Sequence, residues 1–249
     1  MRQLFDPPIA CDLDVTIVVP CLNEEKNIAA TLDFIRVAMQ EFSYRYEVIV
    51  INDGSTDGTG SAVEQYRSAH PEIELTVHKN PKNLGLATSF VNGSFLGRGK
   101  YYKMVFGDNS ESIEDLRKFF RQMGKAEMVL SYLATVEGKS WARMSLSRMY
   151  TWIVNRISGH RIRYYNGGAL HLRYNVMRWG PYSFGFGFQA ELITRLLDEG
   201  ATYIEIPVSA RHEQKQGANS ALNWRNFLSV AHTLAELMIR RIRRKAIGH

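Results

Sequence analysis

Three short polar stretches in the first half of this 249-residue chain carry residue types that can hold a ligand: Pro20-Cys-Leu-Asn-Glu-Glu25, Asn52-Asp-Gly-Ser-Thr-Asp-Gly58 and Gly107-Asp108-Asn109. Each pairs carboxylates with turn-forming residues. A carboxylate accepts from hydroxyl and N–H groups, and its hard oxygens suit a divalent cation. Taken singly, each is ordinary, because an Asp-Gly pair after a strand is commonly only a turn. Their order matters more: each follows an apolar run of strand character. In an open α/β sheet, ligands collect outside the carboxyl ends of strands. The third stretch, inside Lys100–Glu111, is the sharpest, with Asp108 as the first carboxylate past its strand.

The elements that must position these loops are legible in the apolar pattern. Val15–Val19 reads as a buried strand stopped by Pro20. Asn23, Glu24 and Glu25 then supply cap and first-turn chemistry for a helix whose Ile28, Leu32, Ile35 and Met39 recur at helical spacing. Glu47–Ile51 is a second strand, Ser61–Ala69 a helix, Glu74–His78 a third strand, Thr88–Leu96 a helix and Tyr101–Phe106 a fourth strand ending just before a new helix. This β-α alternation predicts an α/β fold with a mostly parallel sheet covered on both faces. Its polar loops then gather on one edge.

The second half is less regular. The spacing predicts a strand over Met128–Leu133, a helix over Trp141–Ile157 and a turn at Asn166-Gly167-Gly168 leading into a short apolar segment. A helix over Gln189–Glu199, a strand over Thr202–Val208 and a closing amphipathic helix over Leu222–Arg244 follow.

Composition sets bounds. The length suits one large domain, and 45% hydrophobic with 22% charged residues excludes wholesale disorder. The net charge of +6 is concentrated late: from Ala221 on, Arg225, Arg240, Arg241, Arg243, Arg244 and Lys245 face Glu236 alone. Such an end predicts a phosphate-bearing partner. Nucleic acid is not the expected one, since no recognised nucleic-acid module is present. Cys11 and Cys21 flank a strand, and the near-extended chain between them predicts two free thiols and a reducing, cytosolic compartment. No apolar run reaches spanning length and the N-terminus lacks a signal-peptide pattern, so the protein is expected not to be integral.

Together, in this order on successive strands, the three loops resemble family 2 glycosyltransferases of the GT-A fold, over roughly residues 14–220. The resemblance implies an inverting enzyme with a nucleotide-diphosphate-sugar donor and Mg²⁺ or Mn²⁺. The family's opening Pro-x-x-Asn-Glu element is matched by Pro20, Asn23 and Glu24, and its acidic second-strand element by Asp53–Gly58, which contains Ser55 and Asp57. Donor contacts by these residues are implied, with Glu24 and Asp53 on the ribose and base. Asn83-Leu-Gly85 matches the Asn-x-Gly loop near the donor, and Asp108 the second Asp of the Asp-x-Asp metal motif.

Within the family, the second half is most similar to the polyprenyl-phosphate (dolichyl-phosphate-type) sugar transferases. The matching segments are Phe186-Gly-Phe-Gln-Ala-Glu191, Glu205-Ile-Pro-Val208 and the basic loop to Ser220. Arg143 and Ser147 match an Arg and Ser that bind the acceptor phosphate in those enzymes, and an i, i+4 pair lies on one helix face. Arg211, His212 and Lys215 are placed to close over a diphosphate or acceptor phosphate. An acceptor phosphate is already anionic and needs no base. With a hydroxyl acceptor, Glu191 sits where a general base would stand, although a Glu in a first helical turn also simply complements the dipole.

The chain also departs from the family pattern. Phe106 replaces the first acid of the metal motif, Ser110 stands where a third ligand is sometimes found, Tyr132 follows Ser131 in place of a basic residue, and Gln214 replaces an expected Arg. Asn109 or Glu111 is available to compensate. The missing acid keeps open a non-catalytic nucleotide-sugar-binding protein. Residues 1–220 are thus read as the GT-A domain and 221–249 as a basic amphipathic helix. Phe227, Val230, Leu234, Leu237, Met238 and Ile242 form its stripe. Two readings stand: a helix packed on the domain, or one resting on an anionic membrane surface, with Trp141–Ile157 as a second contact. The second places the protein peripherally on the cytoplasmic face of a membrane, beside a lipid-linked phosphate acceptor.

Overall fold

The computed structural model describes residues 9–135, 141–180, 187–209 and 224–247. The first half alternates as expected: β1 (Leu13–Cys21), α1 (Ile28–Met39), β2 (Tyr46–Asn52), α2 (Thr59–Ala69), β3 (Leu75–Lys79), α3 (Leu86–Leu96) and β4 (Gly99–Met104). Then come α4 (Ile113–Phe120), β5 (Met128–Thr135), α5 (Trp141–Ser158), β6 (Ala169–Leu172), α6 (Arg173–Arg178), α7 (Phe188–Asp198), β7 (Tyr203–Ser209) and α8 (Trp224–Ile247).

The seven strands form one sheet in the order β3-β2-β1-β4-β6-β5-β7. β1 pairs in parallel with β2 and β4, and β2 with β3. β6 is antiparallel to both β4 and β5, while β7 runs parallel to β5. The chain thus builds outward from β1 to β3, then crosses back to lay β4 on the other side of β1. That reversal opens a crevice at the carboxyl ends of β1 and β4, where open α/β sheets bind ligands.

Burial on both faces explains the apolar runs at the centres of β1 and β2. Val15, Ile17, Val18 and Val19 have no exposed surface, and neighbouring residues pack on opposite sides. One face packs on Ile28, Leu32 and Ile35 of α1, Val63 of α2 and Leu116 and Phe119 of α4. The other packs on Phe90 of α3, Val154 of α5, Val176 of α6, Leu192 and Leu196 of α7 and Leu237 of α8.

The structure corrects several boundaries. Pro20 does not stop β1, which runs on to Cys21 with Pro20 opposite Ile51. So near the strand end only the proline carbonyl is used, and it accepts from Gly107 N at 3.3 Å. β4 ends at Met104, not Phe106. Val105 N still donates to Val18 O at 2.9 Å, after which the chain turns away. The apolar segment after Gly168 is an antiparallel strand followed by α6, neither read from the sequence. Cys11 and Cys21 are free thiols, as expected.

Candidate functional site

The β1–α1 and β2–α2 loops are laced together by their own polar side chains. Asn23 N donates to Ser55 Oγ at 3.0 Å, and Asn23 Oδ1 accepts from Thr56 N at 2.9 Å. Glu24 N donates to Thr59 Oγ1 at 2.9 Å and Glu25 N to Asp57 Oδ2 at 3.2 Å. Gly58 N returns a bond to Glu25 Oε2 at 3.2 Å. Asn23 holds a left-handed φ of 55°, a conformation that Asn tolerates better than most residues. Asp57 accepts from the Thr59 hydroxyl at 2.5 Å and from Thr59 N at 3.0 Å. The Thr59 hydroxyl, helped by backbone amides, holds the Asp57 carboxyl below the ordinary aspartate range. Asn23, Ser55 and Asp57, expected at the donor, are therefore also the fasteners between two loops.

Asp53 is likewise a fastener. It is buried and accepts from Asn80 Nδ2 at 2.7 Å, Leu84 N at 2.9 Å and Gly85 N at 2.9 Å. Gly85 N also donates to Asn83 Oδ1 at 2.9 Å. The 80–85 loop is thus hung on one carboxylate. Gly54, at φ 78°, lets the two segments touch, since a Cβ there would lie 2.6 Å from the Lys82 carbonyl carbon. Asn80 as the partner of Asp53 was not legible beforehand.

The segment after β4 closes the site. Gly107 approaches β1 so closely that a Cβ would sit 2.9 Å from that of Cys21. Asn109, also at φ 55°, donates its N–H to the buried Thr31 hydroxyl at 3.0 Å. Asp108 lies half-buried between these two ties, with Oδ1 accepting from Ser110 N at 3.2 Å. Ser112 caps α4 by accepting from Asp115 N at 3.0 Å. Phe106, in the place of a carboxylate, packs against the core. Pro20, Asn23, Glu24, Asp53, Ser55, Asp57, Asn83, Gly85 and Asp108 are thereby gathered at one sheet edge. Burial first, then the negative charges of Glu24, Asp57 and Asp53, push the Cys21 thiol up to about 12.

Among the described residues no three His, Cys, Asp or Glu side chains cluster as a closed metal site. Glu111 is drawn instead to Lys103 Nζ at 3.3 Å. One half-buried carboxylate fits a Mg²⁺ or Mn²⁺ ion whose other ligands are phosphate oxygens and water, a common arrangement for Mg²⁺.

The remaining expected residues lie elsewhere or outside the described residues. Glu191 is buried in the first turn of α7, and its Oε1 pairs with Arg195 at 2.6 Å. It lines a cavity of about 160 Å³ with Arg195, Glu236, Arg240 and Arg243, between α7 and α8. Ser147 lies half-buried on α5. The side chain of Arg143 and all of Arg211, His212, Gln214 and Lys215 lie outside the described residues.

The helices of the second half leave an apolar surface. On α5, Leu146, Met149 and Trp152 are exposed, and on α8, Met238, Ile239 and Ile242. The two helices pack together, with Arg241 donating to Ile157 O at 2.6 Å. No described helix is long and apolar enough to cross a membrane.

A family model, Glycosyl transferase family 2, matches residues 16–183. A dolichyl-phosphate beta-glucosyltransferase of Trichomonas vaginalis is 33% identical over 146 residues, covering 54% of this chain and 43% of that protein. A dodecaprenyl-phosphate galacturonate synthase of Rhizobium johnstonii is 23% identical over 168 residues, covering 67% and 49%. The chain thus spans less than half the length of these relatives. Among solved structures, glucosyl-3-phosphoglycerate synthase from Mycobacterium tuberculosis, in complex with Mg²⁺ and UDP, superposes with a TM-score of 0.69 at 16% identity, over 91% of this chain and 80% of that one. A Pyrobaculum calidifontis mannosyltransferase in complex with GDP-Man and Mn²⁺ gives 0.65 at 22% identity, over 96% and 66%. Those likenesses establish the GT-A fold. With the family match over residues 16–183, more than half of its length, the chain belongs to glycosyl transferase family 2.

Proposed function

We propose that this protein transfers a sugar from a nucleotide-diphosphate donor to a polyprenyl phosphate, with inversion. The observation that carries the donor half is the convergence of the 20–25, 52–58 and 105–112 loops at the β1/β4 crevice. The acceptor half is supported by the names of the Trichomonas and Rhizobium relatives. Pro20, Asn23, Glu24, Asp53, Ser55, Asp57, Asn83 and Gly85 form the donor face, and Arg143, Ser147, Arg211 and Lys215 receive the acceptor phosphate.

The chemistry is a single in-line displacement. An acceptor phosphate oxygen forms the bond to the anomeric carbon while the bond from that carbon to the diphosphate breaks. The electron pair leaves on the nucleoside diphosphate. The nucleophile is anionic, so no side chain removes a proton, and Glu191, paired with Arg195, is left to order α7. The chain's task is to align the reactants and steady the departing charge. Asp108 would hold Mg²⁺ or Mn²⁺, which supplies charge neutralisation at the diphosphate.

Incubating the protein with radiolabelled nucleotide sugars, Mn²⁺ and extracted polyprenyl lipid tests this reading. Label in the organic phase is the expected result. A water-soluble product would favour a hydroxyl acceptor, and tight nucleotide binding without turnover a non-catalytic binding protein.

The exposed apolar faces of α5 and α8, flanked by Arg148, Arg156 and Arg243, support action at an anionic membrane surface. Trp152 and Ile242 are each 66% exposed, so charging them leaves the core intact. Trp152→Glu with Ile242→Glu is expected to weaken co-sedimentation with phosphatidylglycerol vesicles by about tenfold. Unchanged binding by the folded variant counts against the membrane face.

A further inference from the structure

Lys103 is a charged residue where the fold asks for none. It lies on β4 with no exposed surface, on the sheet face shared with Tyr101, Val105 and Phe119. Its ammonium donates to Met104 O at 2.5 Å and to Glu111 Oε2 at 3.3 Å. The nitrogen stands 4.6 Å from the Phe119 ring centroid, and a Cβ on Gly168 would approach it at 3.4 Å. Strand, helix and the turn into β6 thus wall it in, and Glu111 answers its charge from the loop above.

Packing does not account for this. Taking an ammonium out of water is costly, and exchanging a buried ion pair for apolar residues of similar volume is often neutral or stabilising. A methionine would fill the same space. What the pair adds is a tie on the 105–112 segment from a different side. Gly107 N is bound to Pro20 O and Asn109 N to Thr31 Oγ1, both against the β1–α1 side. The Lys103–Glu111 bridge holds the segment from beyond Asp108, against β4 itself. It also keeps the Glu111 carboxylate turned toward the core.

We infer that the buried Lys103–Glu111 pair is a positioning device that fixes the aim of Asp108 at the donor-borne divalent cation. The inference rests on the cation reading of Asp108 above. Neither residue is a ligand in this account; both act through the backbone of the loop. In a chain with Phe106 in place of a second carboxylate, the direction of the remaining one matters more.

The test uses the full chain, with UDP and GDP each tried as probe. Calorimetry measures nucleotide affinity with and without Mn²⁺, electron paramagnetic resonance counts bound Mn²⁺, and thermal unfolding reports the fold. Lys103→Met releases Glu111, and the double variant Lys103→Met/Glu111→Gln leaves no unpaired buried charge. Both are expected to weaken Mn²⁺-dependent binding by about 10- to 100-fold, the range for losing an outer-shell partner, while metal-free nucleotide binding persists. The double variant is expected to keep its melting temperature. Wild-type Mn²⁺ affinity in the folded double variant overturns the inference, as does tighter binding in Lys103→Met, which would make Glu111 a ligand. An equal loss of metal-free and Mn²⁺-dependent binding reduces the pair to a structural prop and overturns it too. If the wild-type protein shows no Mn²⁺-dependent increment, the cation reading falls and this inference with it.

Discussion

Asp108→Asn is expected to lower sugar transfer on the order of 10³-fold while the protein keeps its fold. The two halves of that expectation have different origins. Structurally, Asp108 Oδ1 accepts from Ser110 N, and an asparagine carbonyl oxygen can accept the same bond. The neighbouring ties run through Gly107 and Asn109 backbone groups, which the substitution does not touch. Chemically, the change removes the negative charge that would hold a hard cation against the departing diphosphate. Circular dichroism and a thermal melt should match the wild type, and Mn²⁺-dependent nucleotide affinity should collapse. Near-normal turnover in the Asn variant would remove Asp108 from the mechanism and leave the crevice to act by positioning alone.

The second large effect belongs to Asp53. Alanine there strips the acceptor from Asn80 Nδ2 and Leu84 N at once and leaves Gly85 N only its bond to Asn83 Oδ1. Leaving a buried donor unsatisfied costs about 1–3 kcal/mol, and partial rescue by water at the exposed end of the loop brings the sum to about 3 kcal/mol. Urea denaturation should show that loss, and nucleotide affinity should fall with it because the Asn83–Gly85 loop loses its hanger. Asp53→Asn keeps one acceptor oxygen and should fall between the two. If Asp53→Ala were as stable as the wild type yet failed to bind nucleotide, the carboxylate would be a direct donor contact and not a loop anchor.

The pairing of these two residues separates what sequence could show from what it could not. The strands were legible because burial on both faces demands near-continuous apolar runs, as in Ile17–Val19 and Val48–Ile51. The loops were legible because Pro, Gly, Asn and Asp mark chain reversals. Motif order then placed Asp53 and Asp108 on one sheet edge, and the β3-β2-β1-β4 order bears that out. The strand ends differ from the Pro20 and Phe106 boundaries because single hydrogen bonds to a neighbouring strand, not residue type, decide where pairing ends.

The direction of β6 was out of reach for a deeper reason. A four-residue apolar run fits either orientation, and its antiparallel place between β4 and β5 depends on partners distant in sequence. The same holds for side-chain roles. Sequence by itself determined that acids would stand at the crevice, because residue identity and local pattern fix that much. Only the tertiary structure decided which of them bind the protein: Asp53 to the 80–85 loop, Asp57 to Thr59 and Glu25, and Glu111 to a lysine buried in β4. Hydrogen-bond partners are chosen by proximity in space, and a linear pattern carries no record of it.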